Sequence, residues 1–192
     1  MNWTIRPFEA KDQAALDACD FTFSTQKVIS LYKLVKGLTT QWSLSERDLE
    51  GQYTGNYALG TGEWEVMRAR GEESPALLLV AEQAGLPIAL LDVGFEDWNE
   101  TARIWNVYID AKHRGQGLGR ALIAQAAAWA SAPERKARAL IAETQTNNYP
   151  ACQFYLACGF ELSGIDDHFY SNNDRDAKMG IGEVALFWYK PL

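Results

Sequence analysis

The sequence predicts a mixed α/β fold of the α+β kind: a mostly antiparallel sheet of six to seven strands flanked by helices. Three observations carry this. Between residues 77 and 109, runs rich in β-branched and aromatic side chains follow one another with only turns and polar loops between them, as antiparallel neighbours do. Beyond residue 117 the period changes, and Leu122, Ile123, Ala126, Trp129 and Ala130 form one helical stripe. The remaining strand-like runs are then joined through a second helix, and hairpins followed by helix-linked strands give a mixed sheet.

In chain order, Trp3 to Arg6 reads as a first strand ended by Pro7, with helix-forming residues from Asp12 to Ala18. Residues 21–75 read as a variable helical and irregular segment over the core, a place for a substrate lid. Ser43 to Glu46 offers a capping-box helix start there, and Gly51, Gly55, Gly60, Gly62 and Gly71 break up the rest. Leu77 to Gln83 is a buried strand, Ala84-Gly85 a turn, and Pro87 to Phe95 its hairpin partner. Ile104 to Ile109 is the central strand, and Ala139 to Thr144 another of buried type. A helix from about Tyr149 to Cys158 is capped by Asn148, tolerates Pro150 in its first turn and ends at Gly159. Leu162 to Tyr170 reads as a strand, Ser171 to Gly182 as a polar loop, and Glu183 to Lys190 as the closing strand.

With 192 residues the chain has the size of one domain, 1–192, with a sizeable core. Apolar residues at 47% and charged residues at 22% place it among globular chains. A net charge of −7 argues against nucleic acid and suits a cationic substrate. No run approaches the roughly 20 apolar residues of a membrane span. Met1 to Arg6 lacks the basic and apolar regions of a signal peptide, so the expectation is a cytoplasmic protein with no membrane partner. Cys19, Cys152 and Cys158 form no Cys-x-x-Cys pair and are not spaced with His113 or His168 as ligands, so reduced thiols and no metal are expected. Exposed aromatics permit a homodimer.

The chemistry concentrates where the central strand meets the first long helix. Arg114-Gly115-Gln116-Gly117-Leu118-Gly119 lies between them, with Arg120 just inside the helix. The first amides of a helix lack partners and sit at the positive end of its dipole, so a strand, a glycine turn and a helix start make an anion site. Glycines let the backbone curl and a phosphate come close, and Arg114 and Arg120 add full charge. The spacing is neither the dinucleotide fingerprint nor the P-loop. It does match Arg-x-x-Gly-x-Gly, and so resembles the pyrophosphate loop of the GNAT superfamily of acetyl-CoA-dependent N-acetyltransferases.

A second stretch agrees. Asn148, Ala151, Tyr155, Gly159 and Phe160 fall in register with that superfamily's second cofactor element. The fuller wording, Glu143-Thr144-Gln145 through Asn147-Asn148 to Phe154-Tyr155 and Cys158-Gly159-Phe160, is similar to the streptothricin acetyltransferase group. So are Asp97-Trp98-Asn99 and Ala185 to Tyr189, and the likeness covers roughly residues 77–192. The resemblance implies a sheet splayed at the central strand and acetyl-CoA as acyl donor. It implies that Val107, Tyr108, Ile109, the loop from Arg114 to Arg120, Asn148 and Tyr155 line the donor. It also implies that Tyr155 protonates the leaving thiolate. The mechanism expected is direct attack of a neutral amine on the acetyl thioester, whose carbonyl oxygen is polarised by a backbone amide near Ile109, with Cys152 and Cys158 as acyl carriers the alternative.

One departure stands out: Trp105-Asn106 occupies the place of that group's acidic Glu-Asp pair on the central strand. Neither can act as a carboxylate base, although a Trp face can stack on a cation. Glu143, Asp92, Asp166 and Asp167 remain as base candidates, and Trp98, Trp105 and Asn106 as substrate contacts. Two other functions stay open at this level: acetylation of a protein or peptide amine, and acyl-CoA binding without catalysis.

Overall fold

One seven-stranded sheet, a separate two-stranded arm and the helices packed on the sheet make up the molecule, whose computed structural model describes residues 2–57, 59–171 and 182–192. In chain order the elements are β1 (Thr4–Pro7), α1 (Gln13–Asp17), β2 (Phe23–Lys36), β3 (Thr39–Gly55), α2 (Thr61–Glu73), β4 (Ala76–Gln83), β5 (Leu86–Glu96) and β6 (Thr101–Ile109). There follow α3 (Leu118–Ala130), β7 (Ala139–Gln145), α4 (Tyr149–Ala157), β8 (Glu161–Asp166) and β9 (Ala185–Pro191). The 7-stranded sheet has the order β1-β4-β5-β6-β7-β9-β8, and β2 and β3 pair separately. Within the sheet β6 and β7 are parallel and the other neighbours antiparallel.

That parallel pair opens partway along. Its register runs from Thr101↔Ala139 to Ile104↔Ala142. Beyond it, β6 stays with β5 as far as Ala89↔Ile109, and β7 stays with β9 as far as Gln145↔Ala185. Each strand follows its other partner, so the sheet splays between residues 105–109 and 143–145, as the family resemblance implied.

Alternation along the strands sends apolar side chains to both faces. On one face α3 buries Leu118, Leu122, Ile123 and Ala126 against Leu91, Val93, Ile104 and Leu140. On the other, Leu16 of α1 and Trp64 and Met67 of α2 pack on Val80 and Leu90.

The segment 21–75 departs from its expectation of helix and irregular chain. It is chiefly a long hairpin, with Lys36 opposite Thr39 across a Gly37-Leu38 turn, and one helix, α2. Ser43 to Glu46 starts no helix but lies inside β3. A two-residue loop with glycine first, φ +60° at Gly37, suits the twist of a hairpin. The arm's outer half is solvated on both faces, which hides the one-sided apolar alternation of a sheet strand. Two smaller differences concern the C-terminal region. The strand expected over Leu162 to Tyr170 ends at Asp166, where the chain turns. Most of the loop expected over Ser171 to Gly182 lies outside the described residues.

Candidate active site

The gap between β6 and β7 continues into a cavity of about 510 Å³. One end is the glycine loop. Gly115 and Gly117 have φ of +73° and +83°, left-handed values that side chains resist, and a Cβ on either would meet open space. Gly117 is the N-cap of α3, and its carbonyl accepts from Ala121 N–H at 3.1 Å. The amides of Leu118, Gly119 and Arg120 therefore have no partner inside the helix. Gly119 serves a different purpose: a Cβ there would lie 2.7 Å from Cε2 of Phe154 and 3.2 Å from Cδ1 of Ile109. The missing side chain lets the helix start sit directly against β6 and α4.

The wall along β6 is a strand edge. Asp110 N–H donates to Ile88 O at 2.9 Å, so Asp110 faces β5. Alternation then turns the amide and carbonyl of Val107 and Ile109 the other way, into the gap. Arg114 confirms the direction, since its Nε donates to Ile109 O at 2.9 Å. Its other donor reaches Thr22 O, and burial lowers its pKa. The residues present fit a long anionic ligand: unpartnered amides and Arg120 for phosphates, then an open strand edge for an extended amide-bearing chain.

The opposite wall is α4, entered through Asn148. Its Oδ1 accepts from Ala151 N–H at 3.1 Å, an N-cap bond, and Gly159 at φ +80° ends the helix. Tyr155 is held edge-on by Phe154 and Phe160, with centroids at 5.2 and 5.1 Å. Its ring is buried, it lines the cavity, and its hydroxyl has no hydrogen bond among the described residues. Burial pushes its pKa well up, aided by Cys158, Glu143 and Tyr108, so it stays a proton donor at neutral pH.

Glu143 lies on the β7 side of the gap and lines the same cavity. Burial raises its pKa, while the hydroxyl of Tyr170 donates to Oε1 at 2.6 Å and pulls it back. Aromatic residues complete this side. Phe21 stacks on Tyr108, Tyr108 on Tyr57 and Tyr57 on Phe23, with centroids 5.2, 6.0 and 5.6 Å apart. Tyr57 and Tyr170 escaped the sequence reading; neither sits in a motif.

The other residues singled out above are placed as follows. Trp105 and Asn106 line the cavity. Asp92 is buried on β5, paired with Arg70, and accepts from Asn106 Nδ2 at 3.1 Å. Gln116 donates to Lys112 O, and the Leu118 side chain is in the core. Trp98 is exposed in the β5–β6 turn. Asp166 accepts from His168 N–H, and Asp167 pairs with Lys33 of the arm at 2.9 Å. Asp92, Trp98, Asp166 and Asp167 do not line the cavity.

Comparison with known proteins agrees with this geometry. The acetyltransferase (GNAT) family model matches residues 40–160. The streptothricin acetyltransferase of Escherichia coli is 39% identical over 92 residues, 48% of this chain and 49% of that protein. That of Streptomyces lavendulae is 32% identical over 124 residues, 64% of this chain and 62% of that one. The matches thus span about half to under two thirds of these relatives. Whole-chain likeness appears in structure. Nourseothricin acetyltransferase superposes with a TM-score of 0.80 at 25% identity, covering 100% of this chain and 99% of its own. A Bacillus anthracis protein solved with acetyl coenzyme A gives 0.76 at 25%, covering 99% of both. The likeness therefore reaches the first 75 residues, which the sequence motifs did not include. Among the described residues, no helix is long and apolar enough to cross a membrane.

Proposed function

Because the chain belongs to the GNAT acetyltransferase family, we propose that it acetylates a primary amine of a small cationic acceptor, a streptothricin-type antibiotic foremost, with acetyl-CoA as donor. The observation that carries this reading is the splayed β6–β7 gap, with a helix start suited to an anion at one end and the unpartnered hydroxyl of Tyr155 lining the cavity beside it. The donor supplies an activated thioester. The amides of Leu118, Gly119 and Arg120 hold its pyrophosphate, and the edge of Val107 and Ile109 takes its amide-bearing arm. The Ile109 amide polarises the acyl oxygen. Tyr155 gives its proton to the departing sulfur.

Glu143 takes the proton that the acceptor ammonium must lose before its nitrogen can attack. No acyl-enzyme is involved; burial holds the Cys152 and Cys158 thiols protonated. Phe23 and Tyr57, at the root of the β2–β3 arm, form the acceptor's wall. An aromatic face beside one carboxylate favours a cation.

Release of free CoA, followed with a thiol reagent across amines including streptothricin and aminoglycosides, tests the reading. Turnover with streptothricin supports it. Turnover with another amine alone keeps the reaction and removes the antibiotic. Tight acetyl-CoA binding without turnover on any amine favours a binding module.

A further inference from the structure

We propose that Tyr170 is a positioning residue that keeps Glu143 ionised and aimed, at the end of a hydrogen-bond chain whose direction is set at Asn148. The proposal rests on the reading of Glu143 as proton acceptor. Side-chain amides and hydroxyls can usually be turned either way, but here one end of the chain is anchored. The backbone N–H of Ala151 can only donate, so the Asn148 atom 3.1 Å from it is Oδ1, and the amide nitrogen faces Tyr57. Asn148 Nδ2 then donates to the Tyr57 hydroxyl at 3.0 Å. The Tyr57 hydroxyl donates in turn to Gln145 Oε1 at 2.6 Å, which leaves Gln145 Nε2 to donate to Tyr170 at 3.0 Å. With its oxygen already accepting, Tyr170 points its O–H at Glu143 Oε1, 2.6 Å away.

Every donor thus runs toward Glu143, and a carboxylate that only accepts is the charged form. A protonated Glu143 could still accept at Oε1, but the hydrogen bond is stronger to the anion and so favours it. The charge of Arg103 acts in the same direction, and burial and the charge of Glu183 oppose both. Among the described residues no hydrogen bond reaches Oε2, which is left for the acceptor nitrogen. The chain does not relay protons, because a carboxamide stands in its middle. It also joins the arm, α4 and the loop after β8, so the direction of a bond at the site is decided by the N-cap of a helix.

The test is the titration of Glu143 itself, followed by carbon-13 NMR of glutamate-labelled protein and assigned with Glu143→Gln. Tyr170→Phe is expected to raise the midpoint by about one pH unit, and Tyr57→Phe by less, with acetyl-CoA affinity unchanged in the former. The acid limb of kcat/KM should move with the midpoint. A midpoint left in place in folded Tyr170→Phe overturns the assignment. Should that variant not fold, Tyr57→Phe is read in the same way. If Glu143→Gln turns over as wild type, the proton-acceptor reading fails by itself, whatever the midpoint does in Tyr170→Phe.

Discussion

The guanidinium of Arg70 lies 4.4 Å from the centroid of the Trp105 ring. The same guanidinium pairs with the buried Asp92, which also accepts from Asn106. Trp105 and Asn106 therefore belong to one cluster that reaches across from α2 to the buried Asp92, with Trp105 itself on its exposed side. A carboxylate at position 106 would stand against Asp92 and lose the hydrogen bond that Asn106 now donates to it.

Removing Arg70 strands that charge, and Arg70→Ala should cost about 3–5 kcal/mol at pH 7, measured by denaturant unfolding. The pH dependence has a definite sign. Burial raises the folded pKa of Asp92 above its ordinary 3.8, so the unfolded chain loses this proton first. Stability from this group falls as pH rises from about 4 through the folded value. Without Arg70 the folded value climbs further, so the variant's deficit should be smaller at pH 4 than at pH 7. An equal deficit at both would mean the loss is one of packing on Trp105.

Tyr155→Phe keeps the ring contacts with Phe154 and Phe160 and removes the proton donor. A fall in kcat of about 100-fold is expected, with acetyl-CoA Kd within about twofold of wild type by calorimetry. Equal loss of kcat and affinity would point to a packing role for the hydroxyl.

Gly119→Ala puts a methyl 2.7 Å from the Phe154 ring, closer than carbon atoms approach. The start of α3 must move, and acetyl-CoA affinity should fall about tenfold, even though alanine adds up to about 1 kcal/mol of helix propensity. Phe154→Leu in the same chain should restore part of the affinity. Gly115→Ala, with open space above it, should act through backbone strain alone and gain nothing from Phe154→Leu.

Tyr32 and Ser43 are cross-strand partners, and the arm beyond them is exposed. Deleting residues 33–42 and joining the pair through Asn-Gly should leave unfolding free energy within about 1 kcal/mol of wild type. It removes the Lys33–Asp167 ion pair, itself worth little at a surface. The acceptor's KM is the sensitive readout: a rise with acetyl-CoA Kd unchanged would place the outer arm over the acceptor.

How much of this was legible in the chain depends on how local each signal is. The loop from Arg114 to Gly119, the α3 stripe and the Asn148 cap each act within a few residues of backbone, and all three stand where they were expected. The arm is local too, and Gly37-Leu38 between β-branched residues was its sign, masked by polar side chains on both faces.

Composition and spacing by themselves determined the mixed sheet, the order of its central elements and the glycine turn ahead of α3, and the wording of two motifs carried the family resemblance. Tertiary structure alone decided which acids face the cavity and what surrounds them. Asp92 and Glu143 look alike in sequence, yet one is tied to Arg70 across 22 positions and the other is approached by Tyr170 across 27. Tyr57 reaches Gln145 over 88 positions. A carboxylate's charge and direction follow from the dipoles and the solvent around it, and those neighbours come together only when distant strands pack.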